Sequence, residues 1–124
     1  MKKILVIHDD PRSRRALDRI LAPAGYDVVA VSYPPVGIMN VFLLTKPALV
    51  LLDIALSGQA PVEDLCRQLR SESEKVPIFV LGSTSEAAHS VSLLDLGADD
   101  YITKPFDRME FLARVTARTN GSTR

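Results

Sequence analysis

Short apolar runs recur along the chain, and most are followed by a stretch in which apolar residues stand three or four apart. Ile4-Leu5-Val6-Ile7, Tyr26 to Val31, Leu49 to Leu52, Pro77 to Leu81 and Tyr101-Ile102 predict five strands. The run Ala48-Leu49-Val50-Leu51-Leu52 lacks polar alternation, which predicts a strand buried on both faces and ending at Asp53. The intervening segments are long enough for crossover helices, so the expected fold is α/β, a doubly wound five-stranded parallel sheet. Asp10 is the expected cap of a first helix with Pro11 at its first position, and Ala16, Leu17, Ile20 and Leu21 give that helix a buried stripe before Pro23 and Gly25 end it. Val62, Leu65, Cys66 and Leu69 predict the same for a third helix, and Met109, Leu112, Ala113 and Thr116 for the last. The second helix is less ordinary. No charge occurs from Val28 to Thr45, and Val36, Ile38, Met39, Val41, Phe42, Leu43 and Leu44 surround a helix, predicting either a wide core face or an extra apolar patch. Ser32, Pro34-Pro35, Gly37 and Asn40 break that segment too often for a membrane span of about twenty apolar residues.

Composition narrows the picture. With 124 residues the chain makes one domain, able to remove roughly two-thirds of its unfolded surface from water. Fifteen basic residues balance fifteen acidic ones, so no overall positive field exists for a phosphate backbone and direct nucleic-acid binding is not expected. A single cysteine, Cys66, excludes an internal disulfide and fits a reducing, cytoplasmic compartment, where a packed thiol is the expectation. Met1-Lys2-Lys3 imitates the start of a signal peptide, but the apolar run stops at His8-Asp9-Asp10, short of the roughly seven residues needed. Asn120 to Arg124 reads as a tail or the start of a linker, which bounds the domain at residues 1–119.

The polar residues fall at one edge of the expected sheet. Asp9 and Asp10 follow the first strand, Asp53 ends the third, Gly82-Ser83-Thr84 follow the fourth, and Lys104-Pro105 follow the fifth. All lie at the carboxyl ends of parallel strands, where such sheets bind ligands. Facing carboxylates repel, and a hard cation such as Mg²⁺ relieves the repulsion. A lysine beside them supplies a compact charge for a phosphate oxygen. Together these parts predict phosphoryl transfer with the Asp carboxylate as nucleophile.

With those residues in place, the chain resembles the response-regulator receiver domains of two-component signalling, over residues 2 to 119. The resemblance rests on Ile4-Leu5-Val6-Ile7-His8-Asp9-Asp10-Pro11, on Leu51-Leu52-Asp53 and above all on Gly97-Ala98-Asp99-Asp100-Tyr101-Ile102-Thr103-Lys104-Pro105-Phe106. It implies a flavodoxin-like (βα)5 fold and a signalling domain that takes a phosphoryl group from a histidine kinase onto Asp53, catalysing only its own modification. It further implies Mg²⁺ held by Asp9, Asp53 and the Ala55 backbone carbonyl, with His8 or Asp10 in the outer shell. Lys104 is then the partner of the phosphoryl group, the Lys104–Pro105 peptide is cis, and Tyr101 is the aromatic whose position reports activation. Asp99 and Asp100, with Arg114 and Arg118 of the last helix, resemble the charges through which one subfamily dimerises by the face of its fourth helix, fifth strand and fifth helix.

The chain departs from the pattern in three places. His8 stands where an acid is usual, and an imidazole is a poor outer-shell replacement for a carboxylate around Mg²⁺, so weaker or more pH-dependent metal binding follows. Gly82 stands where a Ser or Thr is usual; losing its hydrogen bond to a charged group costs about 1.5 to 3 kcal/mol, unless Ser83 or Thr84 swings in. Ser85 is otherwise the expected cap of the fourth helix. Ser57 and Ala60-Pro61 replace a usual proline and Asp-Gly turn, which predicts a rebuilt loop. These departures leave a second expectation open, a degenerate receiver that acts as an interaction module without phosphate. A small flavodoxin-like phosphohydrolase is disfavoured by the Lys104-Pro105 string and the lack of a glycine-rich phosphate loop.

Overall fold

The computed structural model describes residues 1–83 and 87–120. Strands β1 (Lys3–His8), β2 (Asp27–Ser32), β3 (Leu49–Asp53), β4 (Ile78–Ser83) and β5 (Asp100–Lys104) form one parallel sheet in the order β2-β1-β3-β4-β5. Helices α1 (Pro11–Leu21), α2 (Ile38–Thr45), α3 (Gln59–Glu72), α4 (Ala87–Asp95) and α5 (Arg108–Asn120) alternate with them. The expected doubly wound fold is therefore the observed one. The chain runs outward from β1 to β2 and then crosses back to β3, so the loops leaving β1 and β3 diverge and open a cleft at their carboxyl ends. The register sets His8 beside Asp53 at that mouth.

Strand alternation divides the interior in two. Leu5, Ile7, Val50, Leu52, Ile78 and Val80 pack with Phe42, Leu65, Leu69 and Leu93 of α2, α3 and α4. Ile4, Val6, Leu49, Leu51, Phe79 and Leu81 pack with Leu17, Leu21, Phe111 and Val115 of α1 and α5. Covered on both faces, β3 is buried at all five residues, Asp53 included. Cys66 is buried in the first cluster, and burial pushes its thiol up to about 11, the packed thiol expected from the sequence.

Helix faces follow the expected spacing only in part. The α1 start is as expected: the Arg12 amide donates to Asp10 Oδ1 at 3.0 Å, with Pro11 next in line. Ala16, placed on the buried stripe by spacing, is exposed, because Leu17 and Leu21 alone seat α1 fully on the sheet. In α5 the expected stripe of Met109, Leu112, Ala113 and Thr116 is rotated: Phe111, Val115 and Thr119 are buried, and Met109 is 71 % exposed. Two contacts turn the helix. Phe111 stacks on Phe106 with ring centroids 4.7 Å apart, and the Thr119 and Tyr26 hydroxyls share a hydrogen bond of 2.8 Å. In α2 only Ile38 and Phe42 are buried, while Leu43 and Leu44, and Val36 just before the helix, are exposed, which favours the extra apolar patch over the wide core face. Asn120 is still helical, one residue past the expected domain end, and residues 121–124 lie outside those described.

At the edge opposite the cleft, Arg70 ties α3 to the sheet. Its guanidinium donates to the carbonyls of Ser73, Glu74 and Val76 at 3.1, 3.0 and 2.9 Å, to the Gly97 carbonyl, and to Asp99 Oδ2 at 3.1 Å. The same Asp99 oxygen accepts the Ile78 amide at 2.8 Å, where β4 begins. Deleting Arg70 strands several partly buried acceptors, so Arg70→Met should lower unfolding free energy by about 2 to 4 kcal/mol in urea titration. Arg67→Met, which removes only the exposed pair with Asp64, should cost less than about 0.5 kcal/mol.

Candidate functional site

Asp53 is the end of a strand whose other residues are all apolar, and its side chain is drawn into the interior with them at 1 % exposure. Lys104, ending β5 before the cis Lys104–Pro105 peptide, donates to Asp53 Oδ1. Oδ2 is buried with no hydrogen-bond partner. Burial pushes the Asp53 carboxyl above its ordinary range and the Asp9 charge adds to this, while the hydrogen bond and charge of Lys104 and, less, His8 pull it down. Lys104 Nζ also stands 3.4 Å from Ser13 Oγ of α1.

Asp9 leaves β1 beside this carboxylate, its amide donating to the Asp53 carbonyl at 3.3 Å. Its Oδ2 accepts both the amide and the hydroxyl of Ser57, at 2.8 and 2.9 Å. Ser57 closes a single 3-10 turn, Ala55–Ser57, which also carries the Ala55 carbonyl. The rebuilt loop is thus folded onto Asp9. In the sequence Ser57 reads only as a missing proline; 48 residues separate it from Asp9, so no local pattern reports the contact. Asp10 is committed elsewhere, as the α1 cap, and the Arg12 backbone hydrogen bond holds its carboxyl below the usual range. His8 is 6 % exposed, and its Nδ1 is buried without a partner.

A divalent cation fits this donor set. Asp53 Oδ2 is a buried acceptor with nothing to satisfy it, and Asp9 supplies a second carboxylate beside it. Among the described residues, no three His, Cys, Asp or Glu side chains gather as a ready-made cage. The shell would instead be completed by the Ala55 carbonyl and water, in keeping with the habit of Mg²⁺.

The positions expected to form a switch lie close together. The Tyr101 hydroxyl donates to the Ser83 carbonyl at 3.2 Å, and the end of the ring lies over Gly82, 2.2 Å from where a Cβ on that residue would stand. Thr84 and Ser85, the alternative hydroxyl and the expected helix cap, lie outside the described residues. The remaining candidates sit at the other end of β5. Both oxygens of Asp100 meet Arg114 Nη1 at 3.2 Å, and Asp99 stands 3.7 Å from Arg118, all within one chain.

The raised Asp53 pKa has a consequence for stability. Its folded value lies above the unfolded one, so the ionised form costs stability at neutral pH, and the cost fades as pH falls through the folded pKa. Asp53→Asn should therefore raise the thermal midpoint at pH 7, and the gain should shrink progressively as pH falls through the raised folded pKa, in melts followed by circular dichroism.

Comparison with known proteins agrees with this geometry. The family model described as "Response regulator receiver domain" matches residues 4–116. The chain is 39 % identical over 117 residues to the DNA-binding response regulator MtrA of Mycolicibacterium smegmatis, covering 94 % of this chain and 50 % of that protein. It is 37 % identical over 115 residues to the response regulator MprA of Mycobacterium avium, covering 93 % and 50 %. It thus spans about half the length of these relatives. Among solved structures, the receiver domain of the TMAO respiratory system response regulator TorR superposes with a TM-score of 0.81 at 29 % identity, covering 94 % of each chain. A two-component response regulator from Clostridium difficile gives 0.84 at 26 % identity, covering 97 % of each. The sheet order, the Asp53–Lys104 pair at its mouth and these likenesses together mean that the chain belongs to the response-regulator receiver domains of two-component systems.

Proposed function

We propose that this domain accepts a phosphoryl group on Asp53 from a phosphohistidine of a histidine kinase, in a Mg²⁺-dependent reaction. The observation that carries the reading is the Asp53 carboxylate itself, with one oxygen bound by Lys104 and the other buried and unsatisfied. One oxygen of this carboxylate stays with the cation, and the other is the nucleophile. Its attack on phosphorus forms an O–P bond as the N–P bond of the donor breaks, and the donor imidazole keeps the electron pair and takes a proton from solvent. Lys104, already at the carboxylate, holds a positive charge where phosphoryl oxygens arrive. Asp9, Asp53 and the Ala55 carbonyl would hold the cation, which supplies compact positive charge against the incoming phosphate. Ser57 keeps one Asp9 oxygen turned aside and so orients the carboxylate toward its second. A receiver domain from Pseudomonas aeruginosa solved with magnesium in its cleft shares the fold, with a TM-score of 0.77 at 21 % identity.

A second reading, an interaction module independent of phosphate, is favoured by Gly82, which offers no hydroxyl to a phosphoryl oxygen. The face bearing Asp99, Asp100, Arg114 and Arg118 is our candidate for a homodimer contact, because all four side chains remain partly exposed beyond their intrachain pairs.

Incubation with a small phosphodonor and Mg²⁺ should add the mass of one phosphoryl group in intact-protein mass spectrometry. Asp53→Asn should abolish the addition, and Lys104→Ala should slow it by about a hundredfold. Absence of any addition, under conditions in which a related receiver is modified, would leave the interaction-module reading standing. His8→Asp restores an outer-shell carboxylate and should tighten Mg²⁺ binding about tenfold in calorimetric titration at pH 7; equal affinities would assign His8 a packing role.

A further inference from the structure

Tyr101 stands on β5 across from Val80 of β4, two residues before the Gly82–Thr103 pair. Its ring packs partly buried against the core on the α2, α3 and α4 side. From there the phenol reaches Gly82 and takes the room that a side chain on that residue would need. A Cβ on residue 82 would lie 2.2 Å from the Tyr101 hydroxyl oxygen, 2.8 Å from Cζ and 3.3 Å from Cε2. Gly82 does not owe its identity to backbone conformation, because positive φ angles occur at Gly25, Gly37, Gly58 and Gly97 and not here. What the glycine supplies is volume. The phenol fills that volume and secures itself by donating to the Ser83 carbonyl at 3.2 Å.

We infer that Gly82 makes Tyr101 a fixed wedge between β4 and β5, so that the α4–β5 surface holds one conformation whether or not Asp53 carries a phosphoryl group. The inference rests on the phosphoacceptor reading only for what the wedge is indifferent to. No side chain at position 82 has to move before the ring can enter, and none can move back to expel it. Residue 82 itself therefore offers charge arriving at Asp53 no hydroxyl through which to displace the ring. A partner that reads the α4–β5 surface would meet the same shape before and after transfer.

Fluorine NMR of the protein carrying meta-fluorotyrosine tests this. The three tyrosines are Tyr26, Tyr33 and Tyr101, and Tyr101→Phe assigns the signal of interest. In the wild-type protein the Tyr101 resonance should show a reduced shift between light and heavy water, as a shielded ring does. It should keep its position when Mg²⁺ and beryllofluoride are added. In Gly82→Ala, which introduces only the excluded Cβ, it should move to the full solvent isotope shift of an exposed ring. The Tyr26 resonance, held through Thr119 on the other face of the sheet, should stay in place and reports that the variant is folded. A fully exposed Tyr101 in the wild-type protein, a displacement on beryllofluoride binding, or an unmoved resonance in folded Gly82→Ala would each overturn the inference. Bound beryllofluoride gives its own fluorine signal, lost in Asp53→Asn. If that signal never forms, the phosphoacceptor reading fails, while the ligand-free comparison of wild type and Gly82→Ala still decides whether the glycine admits the wedge.

Discussion

A carboxylate at 1 % exposure does not survive in a protein interior without a charge beside it, and Asp53 has Lys104. That pair constrains much of the cleft. It requires β3 and β5 to end at the same level although β4 lies between them, and it requires the chain to turn away directly after Lys104, where Pro105 ends the strand. It leaves the second Asp53 oxygen buried with no donor to bond it, within reach of the Asp9 charge. The electrostatic cost that remains after Lys104 has done its part is what supports the proposal of an added cation and of phosphoryl transfer to this carboxylate.

The two edges of the sheet are organised in opposite ways. At the amino ends of β4 and β5, Arg70 satisfies three carbonyls of the α3–β4 connection, one at Gly97 and the Asp99 carboxylate, and Asp99 in turn closes onto the Ile78 amide. Polar groups there are saturated, and the edge is a brace. At the carboxyl ends, His8 Nδ1 and Asp53 Oδ2 are both buried without partners. Unsatisfied groups of this kind are expensive, and the pair in the cleft sets this edge apart from the braced one. His89 repeats the pattern between α3 and α4, where its Nε2 stands 3.3 Å from Glu63 without an aligned hydrogen bond.

Much of this was legible in the chain. Runs without polar alternation announced strands covered on both faces, and a βα repeat of that length admits little besides a parallel sheet. The strand ends then located Asp9, Asp53 and Lys104 at one mouth. Helix rotation was less legible. Residues 108–119 carry apolar side chains on two adjacent stripes with the same 3.6-residue period, and spacing chose Met109 and Leu112 where the fold chose Phe111 and Val115. The choice was made by partners distant in sequence, Phe106 for Phe111 and Tyr26 for Thr119. Ala16 failed for a related reason, since a methyl on the margin of a stripe adds too little contact to draw α1 toward it.

Fold class and the gathering of Asp9, Asp53 and Lys104 at one sheet edge follow from local pattern, because burial on a sheet imposes a period and a polar residue at a strand end has few places to go. Contacts across the sheet do not follow, because nothing in the neighbourhood of Ser57 refers to Asp9, and nothing near Gly82 refers to Tyr101. In the sequence Gly82 reads as a missing hydroxyl. In the folded chain it is occupied space, filled by an aromatic ring from the adjacent strand, since close packing assigns any volume a side chain vacates to whichever neighbour can reach it.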